Sequence, residues 1–230
     1  MNAIRPLAVI LMLGIALGAC ASGPKRSPLP KDRNAVNRIS DAYVRAVELQ
    51  GQGDCEKAIK LFRRVAMQGA GYEDAQRRLG ECTILLAGSD SARYKEGIVW
   101  LRRAAEAGWP EAQGALAYEY AAGPTPDLAE AARWLALYQD NPRMKRLGFT
   151  PLPAAKLSAI RARLTPEQIE QGRTAAKSFA PVVWVPPATE KQNAVKDLDG
   201  GEESGTSGAG ERRDENGNRP IGGEFPQPGQ

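Results

Sequence analysis

Apolar and small residues recur on one helical face in the middle of the chain. Between Gly97 and Gly108 their spacing is i, i+1, i+4, i+5 and i+8, and the charged residues between them fall on the other side. The stripe consists of Trp100, Leu101, Ala104, Ala105 and Gly108. This spacing predicts an amphipathic helix. Gly108 suits the left-handed conformation that ends a helix, and Pro110 suits the first turn of the next one.

The next predicted helix has an apolar seam made of small residues and one aromatic. The seam consists of Ala112, Leu116, Tyr120 and Gly123. Small side chains let two helix backbones approach closely, so this seam predicts a tightly packed helix pair. The helix should end at Gly123-Pro124, and Pro126-Asp127 allows a third to begin. That third helix has the same kind of stripe, formed by Ala131, Trp134 and Leu135.

These patterns recur along the chain. Ala75-Gln76 and Leu79-Gly80 match Ala112-Gln113 and Leu116-Ala117, which lie 37 residues further on. The segment KAIKLFRRVAMQG at 57–69 likewise aligns with EGIVWLRRAAEAG at 96–108. A period in the thirties is typical of an α/α solenoid, because one helix hairpin cannot bury its apolar face without a stacked neighbour.

The recurring pattern resembles the Sel-one-like repeat, a relative of the tetratricopeptide repeat. The best unit fits at Ala112, Leu116, Ala117, Tyr120, Gly123, Asp127, Ala131 and Trp134. The middle unit fits at Ala75, Leu79, Gly80, Gly97, Trp100, Ala104, Ala105 and Gly108, but has Thr83 where the family has Tyr. An earlier unit fits more loosely, from Gly51 to Gly69. The resemblance covers about 40–138. It implies a curved array of antiparallel helix pairs that holds proteins together and has no catalytic residues.

The expected fold is all-α, with a solenoid of about three Sel-one-like (TPR-like) helix pairs at 34–140. Residues 141–182 should form capping helices, because Pro153–Leu164 has a helical stripe and Thr165 to Gln168 is a capping box. From 183 to 230 the composition predicts a disordered acidic tail. After Pro186 this tail has nine acidic and five basic residues. It would serve for solubility, capture a partner or cover a basic groove.

The first twenty residues predict a secretory signal peptide. An apolar run from Leu7 to Leu17 is too short to span a membrane comfortably and suits a cleaved signal peptide at 1–19. The run ends in Leu17-Gly18-Ala19-Cys20, which resembles the bacterial lipobox and implies lipidation of Cys20. The alternative is an ordinary signal peptide that happens to contain Cys. Ala21 favours sorting to the outer membrane by the same resemblance. Residues 20–33, rich in Pro, Ser and Gly, predict a flexible tether.

Two further cysteines are candidates for a disulfide. Cys55 should open the second helix and Cys82 should lie late in the third, and these two positions are close together in an antiparallel pair. An oxidising compartment favours their pairing, which would contribute roughly 3 kcal/mol by closing a loop. The alternative is two buried thiols that pack as small apolar groups.

The composition argues against an enzyme. The chain has no His, which removes the commonest general base and metal ligand. It also lacks a phosphate-binding loop and cysteine pairs with zinc spacing, and Glu73-Asp74 point apart on a helix. We therefore expect no catalytic residues, no cofactor and no metal. Nucleic acid is an unexpected partner outside the cytoplasm.

Six arginines in adjacent pairs are the first candidates for binding a partner: Arg63, Arg64, Arg77, Arg78, Arg102 and Arg103. They would form a basic stripe along the array, or else be solvated faces whose stems cover apolar helix sides. The resemblance places the first helix of each pair on a concave inner face. Candidate contacts there are Arg77, Arg78, Glu81, Tyr118 and Glu119.

Two functions follow from these expectations. The first is an outer-membrane-anchored periplasmic lipoprotein that acts as a scaffold or adaptor for an envelope protein. The second is a direct binder of peptidoglycan or another anionic polysaccharide through the basic face.

Overall fold

The computed structural model describes residues 33–199 except 147, and these residues form helices and no strand. Three antiparallel hairpins come first. Their helices are α1 (Arg33–Gly51), α2 (Cys55–Ala66), α3 (Glu73–Leu85), α4 (Ser91–Glu106), α5 (Pro110–Ala122) and α6 (Leu128–Gln139). Each of these helices packs against the next in the chain, and α3 also contacts α5. The predicted solenoid is thus confirmed. The predicted signal peptide, Cys20 and most of the tether lie outside the described residues.

Local signals in the sequence set the helix ends. Asp54, Asp90 and Asp127 each cap the helix that follows them by accepting hydrogen bonds from its first backbone N–H groups. Gly108 has a φ of +80° and ends the fourth helix as predicted, and Pro110 begins α5. The second helix ends at Ala66, and the chain turns at Met67 and Gln68 before Gly69 takes a φ of +82°.

The positions expected to carry the repeat structure are mostly in the core. Fully or almost fully buried are Ala75, Leu79, Gly80, Trp100, Gly108, Ala112, Leu116, Ala131 and Trp134, while Tyr120 and Gly123 are partly exposed. Gly172 of the cap lies so close to α6 that an added Cβ would be 2.5 Å from the backbone of Ala132. Small residues therefore occur where helices meet, as the seam predicted.

Buried amides tie successive repeats together. Gln76 Nε2, in the first turn of α3, donates to the carbonyls of Ala66 and Gly69. The repeat-equivalent Gln113 Nε2 donates to the Ala105 carbonyl at 3.2 Å, and its Oε1 accepts from Asn141 Nδ2 at 2.7 Å. These bonds add a second donor to carbonyls that already accept a backbone N–H in the turn after the preceding helix.

A fourth, divergent pair covers the end of the array. It consists of α7 (Ala154–Arg161), which packs on α5, and α8 (Pro166–Ala176), which packs on α6. A short 3₁₀ helix at Pro142–Lys145 precedes it. Thr165 and Gln168 form the expected capping box at the start of α8. The pair buries Ile160 and Leu164 and leaves most other residues exposed, in agreement with the predicted capping role.

The predicted disorder from residue 183 is wrong for 183–199. After α8 the chain continues as an extended stretch and then forms α9 (Ala188–Asp199), which packs on α1 and α2. Polar composition concealed a small apolar stripe: Ala194 is buried, and Val195 and Leu198 pack against the core of the first hairpin. The rest of the predicted tail, 200–230, lies outside the described residues.

Candidate interaction surfaces

An ion network occupies the face of α3 that the family resemblance predicts to be the inner face of the second repeat. Arg77 is only 8% exposed, and its guanidinium contacts Asp74 Oδ1 and Glu81 Oε2, each at 2.7 Å. Arg78 Nε lies 2.7 Å from Asp74 Oδ2, and its Nη1 donates to Gln50 Oε1 on α1 at 2.6 Å. Because both arginines are held by neighbours, they tie α3 to itself and to the first helix.

Asp74 is the centre of this network. It accepts hydrogen bonds from Arg77, Arg78 and the hydroxyl of Tyr43 on α1. Burial alone would raise the pKa of Asp74, but the charge of Arg77 and the bonds from Tyr43 and Arg78 outweigh it and lower this pKa. Burial opposes the charged form of Arg77 as well, yet Glu81 and Asp74 raise its pKa. The carboxylate and guanidinium groups therefore stay charged and paired at neutral pH.

The cap contacts one of the two candidate residues on α5, and α4 contacts the other. Lys156 Nζ of α7 lies 4.7 Å from the centre of the Tyr118 ring. Glu119 accepts a 3.1 Å hydrogen bond from the hydroxyl of Tyr94 on α4, and burial raises the pKa of Glu119. The sequence analysis names Glu81, Tyr118 and Glu119 as candidate contacts for a partner protein. Their partners in the structure belong to the same chain.

The adjacent arginine pairs do not form a continuous basic stripe. Arg63 pairs with Glu96 at 2.7 Å, which joins α2 to α4. Arg102 contacts the Tyr120 hydroxyl and lies 3.7 Å from Glu130. Arg103 is held between two tryptophans, and Arg64 is half-buried beside Gln68, whose amide donates to the Arg64 carbonyl. The sequence spacing did not reveal the acidic and aromatic partners of Arg63, Arg102 and Arg103.

Cys55, the first residue of α2, and Cys82, late in α3, form a disulfide with a Cα–Cα distance of 5.3 Å. Both residues are buried in the core of the first hairpins. The pair links the first repeat to the second, in the place that the antiparallel arrangement predicted.

The extended stretch after α8 makes contacts that the sequence did not predict. We call residues 179–187 the return segment. It passes the repeats in reverse order. Phe179 meets Trp134 of the third repeat, Pro181 lies against Gly108, and Trp184 meets Trp100 of the second repeat with ring centres 5.5 Å apart. Pro186 then packs on Gly69. The signal was the sequence PVVWVPP, whose tryptophan and prolines are unusual for a disordered tail.

Two chemical features are absent from the part of the chain that the structure describes. Within 33–199, residue 147 excepted, no three or more His, Cys, Asp or Glu side chains are placed to hold a metal ion. In the same residues no helix has both the length and the apolar character needed to cross a bilayer.

Stacked antiparallel helix pairs with small residues at their contacts define an α/α repeat protein. The family model of the Sel1 repeat matches the chain in three units, at residues 48–69, 73–109 and 110–137. Residues 48–137 therefore consist of Sel1 repeats, and the resemblance found in the sequence is confirmed. Repeats of this kind are typical of protein–protein interaction scaffolds. Neither the curated proteins nor the solved structures provide a match.

Proposed function

We propose that this protein is a lipid-anchored scaffold of the bacterial cell envelope that holds a partner protein on the inner face of its repeats. The three stacked Sel1 pairs are the observation that carries the proposal, because such arrays recognise proteins along an extended surface. The lipobox at 17–20 and the apolar run before it support anchoring through Cys20, with Ala21 favouring the outer membrane.

The inner face offers a defined strip for such a partner. Asp74, Arg78, Glu81 and Leu85 follow a spacing of i, i+4, i+7 and i+11, so they share one side of α3. The charged members are fixed by their internal pairs. Leu85 is 70% exposed and provides an apolar contact beside them. A rigid polar strip with one protruding apolar side chain suits a folded protein or a peptide.

The pairing of the arginines favours the scaffold over direct binding of an anionic glycan. Arg63 and Arg78 meet carboxylates at 2.7 Å, and Arg77 meets two of them at that distance. A polyanion would have to displace these carboxylates before it could bind. Salt-sensitive binding of the purified protein to isolated cell-wall sacculi would contradict this argument and favour the glycan binder.

A position-specific crosslinking experiment tests the partner surface. A photo-reactive amino acid replaces Leu85 on α3 or, as the matched control, Val99 on α4, which is 47% exposed. In intact cells we expect a discrete crosslinked protein from position 85 and none from position 99. Equal products from both positions, or none from position 85, would contradict an inner-face partner.

The anchor is tested separately by labelling cells with an alkyne analogue of palmitate. The wild-type protein should incorporate the label and fractionate with the outer membrane, whereas Cys20→Ala should remain unlabelled. Ser27→Ala is the control, since it changes a residue of the same segment and leaves the proposed acceptor and the disulfide in place. Labelling of Cys20→Ala would show that the lipid is attached elsewhere or not through a lipobox.

A further inference from the structure

The return segment lies in a groove whose recognition elements all belong to the repeats. Trp100 and Arg103 of α4 form its central site, with the Arg103 guanidinium 4.2 Å from the Trp100 ring centre and 3.9 Å from that of Trp184. The indole of Trp184 thus contacts a cation and, in T-shaped geometry, a second indole. Both interactions would accept a tryptophan from any chain.

On each side of this central site a glycine of the repeats contacts a proline of the return segment. A Cβ on Gly69 would lie 2.6 Å from Pro186 Cδ, so only the bare backbone leaves room for the proline there. At Gly108 a Cβ would lie 3.8 Å from Pro181 Cγ, an ordinary van der Waals contact, so the room for this proline does not depend on the missing side chain. Between these two glycine–proline contacts, the carbonyl of Glu106 accepts a 2.7 Å hydrogen bond from the Val182 N–H. The groove therefore contacts two prolines and one aromatic side chain, and it accepts a hydrogen bond from one backbone N–H.

The resident segment is suited to being exchanged. Three of its nine residues are proline, which lacks a backbone donor and favours an extended conformation before binding. Val182 and Val185 are 62% and 72% exposed, and Trp184 is only partly buried. An open pocket of about 480 Å³ adjoins the start of the segment, where Phe179 and Pro181 line it together with residues of α6 and α8.

We propose that this groove is a second protein-binding site, which takes an extended segment of a partner with a central tryptophan bracketed by prolines. Residues 179–187 are its intramolecular occupant, and the partner segment displaces them. Proline-rich segments are commonly recognised in this way, by aromatic-lined grooves that use their low conformational entropy. The groove follows the loops after α2 and α4 and does not use the inner-face strip, so it adds a binding mode to the scaffold.

The test measures the binding of a fluorescent peptide with the sequence of residues 177–189 to the full chain by anisotropy. The wild-type protein should bind it weakly, because its own segment competes at a high effective concentration. Trp184→Ala in the protein removes the anchor of the resident segment and should tighten peptide binding by about tenfold or more. Circular dichroism verifies that this variant keeps its helices.

Matched changes test the proposed contacts. A peptide with Val185→Ala should bind as well as the parent, since this side chain points to solvent, whereas a peptide with Trp184→Ala should not bind. Adding Arg103→Glu to the Trp184→Ala protein should abolish binding of the parent peptide. Failure of the folded Trp184→Ala protein to bind the peptide would overturn the proposal.

A second result would also overturn it. If the wild-type protein forms dimers by light scattering, and labelled copies exchange their segments, the groove serves a second copy of this chain and not a partner. The inner-face crosslinking experiment does not involve the groove, so the two proposals can fail independently.

Discussion

Gly80 and Gly97 bring the backbones of α3 and α4 into direct contact. A Cβ on Gly80 would lie 2.8 Å from the Gly97 carbonyl oxygen, and a Cβ on Gly97 would lie 2.9 Å from the Gly80 carbonyl oxygen. The two helices pack this closely because neither residue has a side chain. Both glycines fit the middle repeat of the family pattern, so the pattern encodes the distance between helices as well as their apolar faces.

Replacing Gly97 by Ala should destabilise the protein by about 2 kcal/mol, because the methyl group would meet the Ile84 side chain at 2.6 Å as well as the Gly80 carbonyl. Urea unfolding of the full chain measures the change. Gly51→Ala is the control, since nothing lies within 4 Å of its added Cβ. A Gly97→Ala protein as stable as the control would refute the close packing of α3 and α4.

Asp74→Asn should lower the free energy of unfolding by about 3 kcal/mol at neutral pH, because it removes the carboxylate that pairs with two arginines. The pKa of Asp74 is lowered in the folded state, so its stabilisation is complete above the unfolded value of about 3.9. It is lost as the pH falls through the folded value. The stability gap between the wild type and Asp74→Asn should therefore close below about pH 4.

Denaturant titrations at several pH values check this dependence. Asp41→Asn, at an exposed position of α1, is the matched control and should leave stability unchanged at neutral pH. If the gap between the wild type and Asp74→Asn stayed constant down to pH 3, the ion network would not be the source of the effect.

Removing the disulfide with Cys55→Ser and Cys82→Ser together should reduce stability by roughly 3 kcal/mol, because the bond closes a loop with a sequence separation of 27. Thermal melts with and without reductant measure this effect. The reduced wild type should melt close to the double variant, and the double variant should not respond to reductant. An unchanged melting temperature in both would show that the bond does not restrain the unfolded chain.

Gln113→Leu should cost about 2 kcal/mol, since it removes the donor to the Ala105 carbonyl and the acceptor for Asn141 Nδ2 in a buried setting. Chemical denaturation is again the measurement. Gln139→Leu, at an exposed position of α6, makes the same change of side chain where no such bonds are lost. Equal effects of the two substitutions would mean that the amide bridge between repeats contributes nothing.

The helix pairs were predictable because their signals are local. Aspartate caps, the glycine at 108 and stripes of small residues all act within one or two turns, and they recur with the repeat. The capping pair was predictable for the same reason, from Thr165 and Gln168. The cysteine pair followed from two premises, that adjacent helices are antiparallel and that the compartment is oxidising, and the structure decides against the alternative of two free thiols.

The surface was harder to predict because it depends on residues that are distant in sequence. The local sequence around Arg103 predicts a solvated charge, because its partner Trp184 lies 81 positions later in the chain. Likewise Arg63 is balanced by Glu96 on another helix. Composition also led to a wrong prediction of disorder for 188–199. The polar character of this stretch outweighed the helical spacing of its few apolar residues, Ala194, Val195 and Leu198.

The return of the chain to its first hairpin changes how the array unfolds. In an open repeat array each unit touches only its neighbours, and the ends can fray separately. Here Lys191 donates to the Gln68 carbonyl across 123 residues, and α9 covers α1 and α2. Fraying of the last helix uncovers the first hairpin, so the two ends lose structure together. Such contacts also raise the contact order, and complete folding is slower than for the local hairpins alone.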